Sequence, residues 1–135
     1  FTAAPGVYHA FWLVAETMLP HINIFRQMGK NGSSVQGSLF WQNGSSPKPK
    51  GSKTSVGGFD FQNEFFILSL DWTPHKLTWK INGKPYKEES KNLPNEPMYM
   101  VISSGVIAET EDNLLPATLE VDWVKCWREK EIAAE

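Results

Sequence analysis

The sequence predicts an all-β fold on three observations. Its apolar segments are short, rich in aromatic and β-branched residues, and bounded by Gly, Pro, Asn or Ser. Aromatic residues make up 13% of the chain, six tryptophans among them, which suits facing sandwich layers or a surface that stacks sugars. Only the final segment, Arg128 to Glu135, has helical composition, and it is too short to hold a stable helix alone. With 41% hydrophobic and 21% charged residues over 135 positions, there is apolar material for one core.

The elements follow in order. Val7 to Val14 opens after Gly6 and is aromatic or β-branched almost throughout. Ile22 to Met28 follows Pro20, and its alternation turns Ile22 and Ile24 inward while His21 and Asn23 face away. Strict alternation would carry Arg26 inward with the isoleucines, a position no unpaired guanidinium tolerates. A β-bulge near Phe25 is therefore predicted, returning Arg26 to the polar face. Ser34 to Trp41 is the next strand. Gln42 to Gly58 is almost entirely Gly, Ser, Pro and Lys and predicts a long mobile loop. Glu64 to Asp71, Lys76 to Ile81 and Lys84 to Glu88 are strands, the last two joined by Asn82-Gly83, the strongest hairpin signal in the chain. Met98 to Ser104 and Thr118 to Trp127 complete the set. The last sets Leu119, Val121 and Trp123 against Glu120, Asp122 and Val124, so burial that switches faces or covers both is expected. Trp72, Trp79, Trp123 and Trp127 are expected in the core, with Trp41 at the rim or in the core.

Composition excludes several functions. A formal net charge of -2 gives no field for a nucleic acid. The single Cys126 rules out an internal disulfide and a cysteine zinc cage, and His9, His21 and His75 are too scattered for a zinc signature. No metal or cofactor is read from the sequence. No apolar run approaches the roughly 20 residues of a membrane span. Asn31 and Asn43 open Asn-Gly-Ser triplets, for which turns are expected. Glu109, Glu111, Asp112, Glu120 and Asp122 are expected as surface charges.

The informative segment is Gly6-Val-Tyr-His-Ala-Phe-Trp-Leu-Val followed by Pro20-His-Ile-Asn-Ile-Phe-Arg-Gln-Met-Gly. It resembles glycoside hydrolase family 16, the laminarinases, lichenases, agarases and carrageenases, whose pattern runs Gly-x-Trp-Pro-Ala-x-Trp-Leu and then Pro-Glu-Ile-Asp-Ile-x-Glu. Val35-Gln-Gly-Ser-Leu-Phe-Trp resembles that family's next strand. Phe66 to Lys84, with Trp72-Thr-Pro, resembles its hairpin, and Leu115 to Val124 its closing strand. The segments stand in family order over nearly the whole chain.

The resemblance implies a concanavalin A-like jelly roll, an antiparallel two-sheet sandwich. Residues 1–135 would be one partial domain, the C-terminal half, with the N-terminal half a required partner in the same or another chain. In the family the first Glu is the nucleophile, the Asp tunes it and the last Glu is the acid/base. The matching positions here are His21, Asn23 and Arg26, and Phe40 stands where the family has a His. Arg26 cannot serve as a base and Asn23 carries no charge, so hydrolysis is expected to be absent. The ligand implied is a polysaccharide or oligosaccharide, a β-linked glucan or galactan, held by Tyr8, Trp12, His21, Asn23, Arg26 and Gln36. Three functions stay open: a non-hydrolytic binder, which is favoured, an enzyme working by another route, and a scaffold with a vestigial groove. The floor would be cationic if Arg26 faces the cleft, or neutral if it folds onto an acid such as Glu16. Family relatives imply an extracellular, periplasmic or cell-surface location.

Overall fold

The computed structural model describes residues 1–30 and 32–130. Its strands are β1 (Val7–Val14), β2 (His21–Met28), β3 (Ser34–Trp41), β4 (Lys50–Gly57), β5 (Leu68–Trp72), β6 (Leu77–Ile81), β7 (Lys84–Glu89) and β8 (Tyr99–Val106). They form two antiparallel sheets, one of five strands in the order β4-β3-β2-β1-β8 and one of three in the order β5-β6-β7. The all-β fold predicted from patterning is therefore present, as the two-sheet antiparallel sandwich that the resemblance implies. Asn82 and Gly83 both take positive φ and turn β6 into β7, while Gly44 does the same in the turn that begins at Asn43. Asn31 and residues 131–135, most of the C-terminal segment of helical composition, lie outside the described residues. Among the described residues no helix is long and apolar enough to cross a membrane.

The core sits between β6 and the middle of the larger sheet. Leu77, Trp79 and Ile81 alternate inward from β6 onto Ile22, Ile24 and Phe25 of β2 and Val35 and Leu39 of β3. Ile24 and Phe25 are consecutive yet both face inward, because β2 is bulged there. Phe11 pairs with Phe25 while Trp12 pairs with Asn23, and on the other side Asn23 pairs with Ser38 while Arg26 pairs with Gln36. A bulge leaves carbonyls without ladder partners, which is costly in a dry interior. The opposite sheet supplies the donors: the Trp79 indole donates to the Asn23 carbonyl at 2.9 Å and the Tyr86 hydroxyl to the Ile24 carbonyl at 3.2 Å. Both side chains reach across Gly37, where a Cβ would lie 2.7 Å from the Trp79 ring and from the Tyr86 oxygen. Trp79 is fully buried, and an indole so placed is worth about 3–5 kcal/mol against alanine.

Two expectations are corrected. The second half of the Gln42 to Gly58 stretch is strand β4, paired with β3 along its whole length. An edge strand is held by backbone hydrogen bonds and needs few apolar side chains, so hydrophobic patterning misses it. Its inward Ser52 and Thr54 meet Lys87, which is only 7% exposed. Lys87 donates to Ser52 at 2.6 Å and to Glu89 at 3.0 Å, and lies 5.2 Å over the Trp79 ring. Burial pushes the Glu89 carboxyl up, but hydrogen bonds from Ser52 and Lys87 and the Lys87 charge outweigh it and hold the group below the usual carboxylate range.

The second correction is Thr118 to Trp127, which is not a strand. Thr118 hydrogen-bonds Thr2, but no ladder forms along the segment among the described residues. A strand requires an edge to pair with, and alternation alone does not supply one. Trp123 and Trp127, expected in the core, are exposed, Trp127 by 75%. Trp72 is also largely exposed, its indole donating to the Pro94 carbonyl at 3.3 Å, whereas Trp41 packs on the core.

Buried His9 gives the fold a pH dependence. Its Nε2–H donates to the Thr2 carbonyl at 2.9 Å, and its Nδ1 accepts from the Ser104 hydroxyl at 2.6 Å. Burial lowers its pKa below the ordinary histidine value, with the Thr2 bond working against that shift. The unfolded chain therefore binds a proton more readily, so this contribution is complete above about pH 6.5 and is lost as pH falls toward the depressed folded value. Urea unfolding at pH 7.5 and 5.5 is expected to show lower stability at the lower pH, with a smaller difference in His9→Gln. An equal pH slope in the two proteins would contradict this assignment.

Candidate functional site

The bulge decides what the outer face of the larger sheet presents. With one extra residue in β2, Arg26 returns to the face that carries His21 and Asn23, as expected from its charge. Cross-strand pairing then lays out four rows on this face. Gly105, Tyr8 and Met28 form the first, and Ser103, Ala10, Arg26, Gln36 and Ser55 the second. Val101, Trp12, Asn23, Ser38 and Lys53 form the third, and Tyr99, Val14, His21, Phe40 and Gly51 the fourth. All six residues singled out from sequence, Tyr8, Trp12, His21, Asn23, Arg26 and Gln36, share the face. Lys53 and Ser103 were not foreseen. For Lys53 the missed signal was the alternation within the supposed loop.

Aromatic and polar groups are tied together across the rows. The Trp12 and His21 rings stack at 4.8 Å with planes 3° apart, and the Trp12 indole donates to the Ser103 hydroxyl at 3.0 Å. His21 Nε2 lies 3.0 Å from Asn23 Oδ1, an atom that only accepts, so the proton sits on Nε2. Asn23 Nδ2 donates in turn to the Ser38 hydroxyl at 2.8 Å, so the amide links His21 to β3. Phe40 meets His21 edge-on at 6.0 Å, and the Lys53 ammonium lies 5.4 Å over the Phe40 ring. Gln36 donates to Ser55 at 3.4 Å.

Arg26 stands apart. Its guanidinium lies 5.5 Å over the Tyr8 ring, and that ring lies against Gly105, where a Cβ would approach it to 2.8 Å. One terminal nitrogen faces the Met28 sulfur at 3.8 Å, a weak acceptor, and Nε is buried with no hydrogen-bond partner among the described residues. Among the described residues Arg26 forms no ion pair, so it does not fold onto Glu16. None of the five strands of this sheet contains an Asp or Glu. Among the described residues no three His, Cys, Asp or Glu side chains converge as a metal site.

Comparison with known proteins identifies the framework. The family model described as Glycosyl hydrolases family 16 matches residues 2–125. The chain is 23% identical over 154 residues to Glucan endo-1,3-beta-glucosidase A1 of Niallia circulans, covering 93% of this chain and 22% of that protein. The solved endo-beta-1,3-glucanase from Pyrococcus furiosus superposes with a TM-score of 0.68 at 20% identity, over 84% of this chain and 51% of that one. The laminarinase catalytic domain from Thermotoga maritima MSB8 gives 0.66 at 20% identity, over 84% and 55%. The chain thus spans about half the length of these solved structures and about a fifth of the curated relative.

Proposed function

The chain belongs to glycosyl hydrolase family 16, and from that premise we propose that it binds a β-linked glucan or galactan on the outer face of its larger sheet without hydrolysing it. The observation that carries the proposal is the pairing of an aromatic, hydrogen-bonding face with the lack of any carboxylate on its strands. Retaining glycosidases need two carboxyl groups about 5 Å apart, and inverting ones need two roughly 6.5–9.5 Å apart. His21, Asn23 and Arg26, which correspond by resemblance to the catalytic positions, form a hydrogen-bonded pair and a fixed cation instead. The names of the relatives, endo-acting β-1,3-glucanases and a laminarinase, support the glycan class. Such a ligand places the protein outside the cytoplasm, at the cell surface, in the periplasm or in the medium.

Trp12 is the main platform, its plane fixed by His21 behind it and Ser103 beside it. Trp12→Ala is expected to weaken oligosaccharide binding about tenfold, roughly 1.4 kcal/mol, with Trp12→Phe retaining part of it. Titration of a laminarin oligosaccharide into each variant measures this. Unchanged affinity in Trp12→Ala would remove the platform from the proposal.

A further inference from the structure

Resting on that glycan-binding reading, we propose that the ligand is an anionic polysaccharide whose sulfate ester or uronate carboxylate seats on Arg26. The first support is charge. Arg26 and Lys53 lie on the face, two strands and one row apart, with no acidic residue on any strand of the sheet to neutralise them. Strands are spaced by about 4.8 Å and successive rows by about 6.8 Å, which sets the backbone positions of the two residues roughly 12 Å apart across the face. The protein as a whole carries -2, so the positive character is local to this face and is not a general attraction for polyanions.

The second support is hydrogen bonding. A guanidinium offers five N–H donors and accepts nothing. Among the described residues the hydrogen-bond acceptor given to Arg26 is the Met28 thioether, and the buried Nε has none. The donors within a ligand's reach are the terminal N–H groups, whose contact with the Met28 sulfur is exposed and weak, so a ligand oxygen can replace it. Sulfate and carboxylate each present two oxygens with the spacing of the guanidinium fork. A neutral sugar hydroxyl offers one, and no charge.

The third support is preorganisation. Gly105 leaves room for the Tyr8 ring, and the ring underlies the guanidinium, so Arg26 is held before the ligand arrives. A sugar stacking on Trp12 would lie one row from Arg26 on the adjacent strand. Aromatic stacking and anion capture are therefore within reach of one chain of saccharides.

Calorimetry of the full-length protein against laminarin, a carrageenan and an alginate, at about 20 mM and about 500 mM NaCl, tests this. The expected result is at least about tenfold tighter binding of one anionic polymer than of laminarin at low salt. That advantage should shrink at high salt, disappear in Arg26→Gln and survive in part in Arg26→Lys. Preference for the carrageenan identifies a sulfate ester, and preference for the alginate a uronate. Equal, salt-insensitive affinities for all three would overturn the anionic ligand while leaving glycan binding in place. Tighter anionic binding that Arg26→Gln leaves untouched would also overturn it. No binding of any of the three would refute the glycan-binding reading itself.

Discussion

Residues 1–135 produced alone are expected to self-associate and to bind a hydrophobic dye strongly. The reason lies in the unequal sheets. β5 lies over β2 and β7 over β4, so the three-stranded sheet does not reach the far edge of the five-stranded one and leaves the inner face of β8 open. Met100 and Ile102 pair with Leu13 and Phe11 and so point inward with them, yet they are 53% and 43% exposed. Together with Leu70 and Trp72 they line a groove of roughly 920 Å³ between the layers. Its outer limits, β8 and β5, are strand edges without a further neighbour among the described residues. An apolar face bounded by two free edges promotes association. We take its natural cover to be the N-terminal half of the family's sandwich, joined to this chain or docked on it.

Size-exclusion chromatography with dye binding measures this directly. Oligomers or aggregates and bright dye fluorescence are expected for the isolated segment, and a compact, dye-dark species when the covering strands are supplied. Met100→Lys with Ile102→Lys provides an internal check of opposite sign. The pair should improve the solubility of the isolated segment and destabilise the completed sandwich by several kcal/mol, because it buries charge without a partner. A monodisperse, dye-dark monomer of residues 1–135 would show that no cover is needed.

The contrast between legible and hidden parts follows from what patterning records. Trp79, Ile22 and Ile24 were readable as core because alternation reports burial wherever one sheet face meets another. The bulge was readable from Arg26, since a lone guanidinium among isoleucines forces the backbone to give. β4 was hidden because an edge strand made mostly of Ser, Thr, Lys and Gly is held by its backbone and by the buried Lys87, which lies on another strand and leaves no mark in β4's own pattern. Thr118 to Trp127 failed in the opposite sense: its alternation is strong, but pairing is a property of two segments and the described chain offers it no second one. At the site the membership of the face was legible, while the ties within it were not. Trp12 to Ser103 joins residues 91 apart, and only the β1–β8 pairing brings them together.

The second large effect is catalytic. General acid–base assistance by a positioned carboxyl contributes about 10²–10⁴-fold, and nucleophilic attack by a second carboxylate opens the covalent route altogether. The outer face supplies neither group: His21 Nε2 is engaged by Asn23, Arg26 is permanently protonated, and no strand of the sheet carries an acid. Turnover of laminarin is therefore expected to lie more than about 10⁴-fold below that of an active laminarinase assayed alongside. The most direct measurement is reducing-end release from laminarin, lichenan, agarose and carrageenan by the full-length protein, run beside binding titrations on the same preparation. Binding of at least one of these polymers with no release above the blank is the predicted result. Release that persists on repeated purification and is abolished by Arg26→Ala or His21→Ala would contradict the proposed loss of hydrolysis and return the face to catalysis.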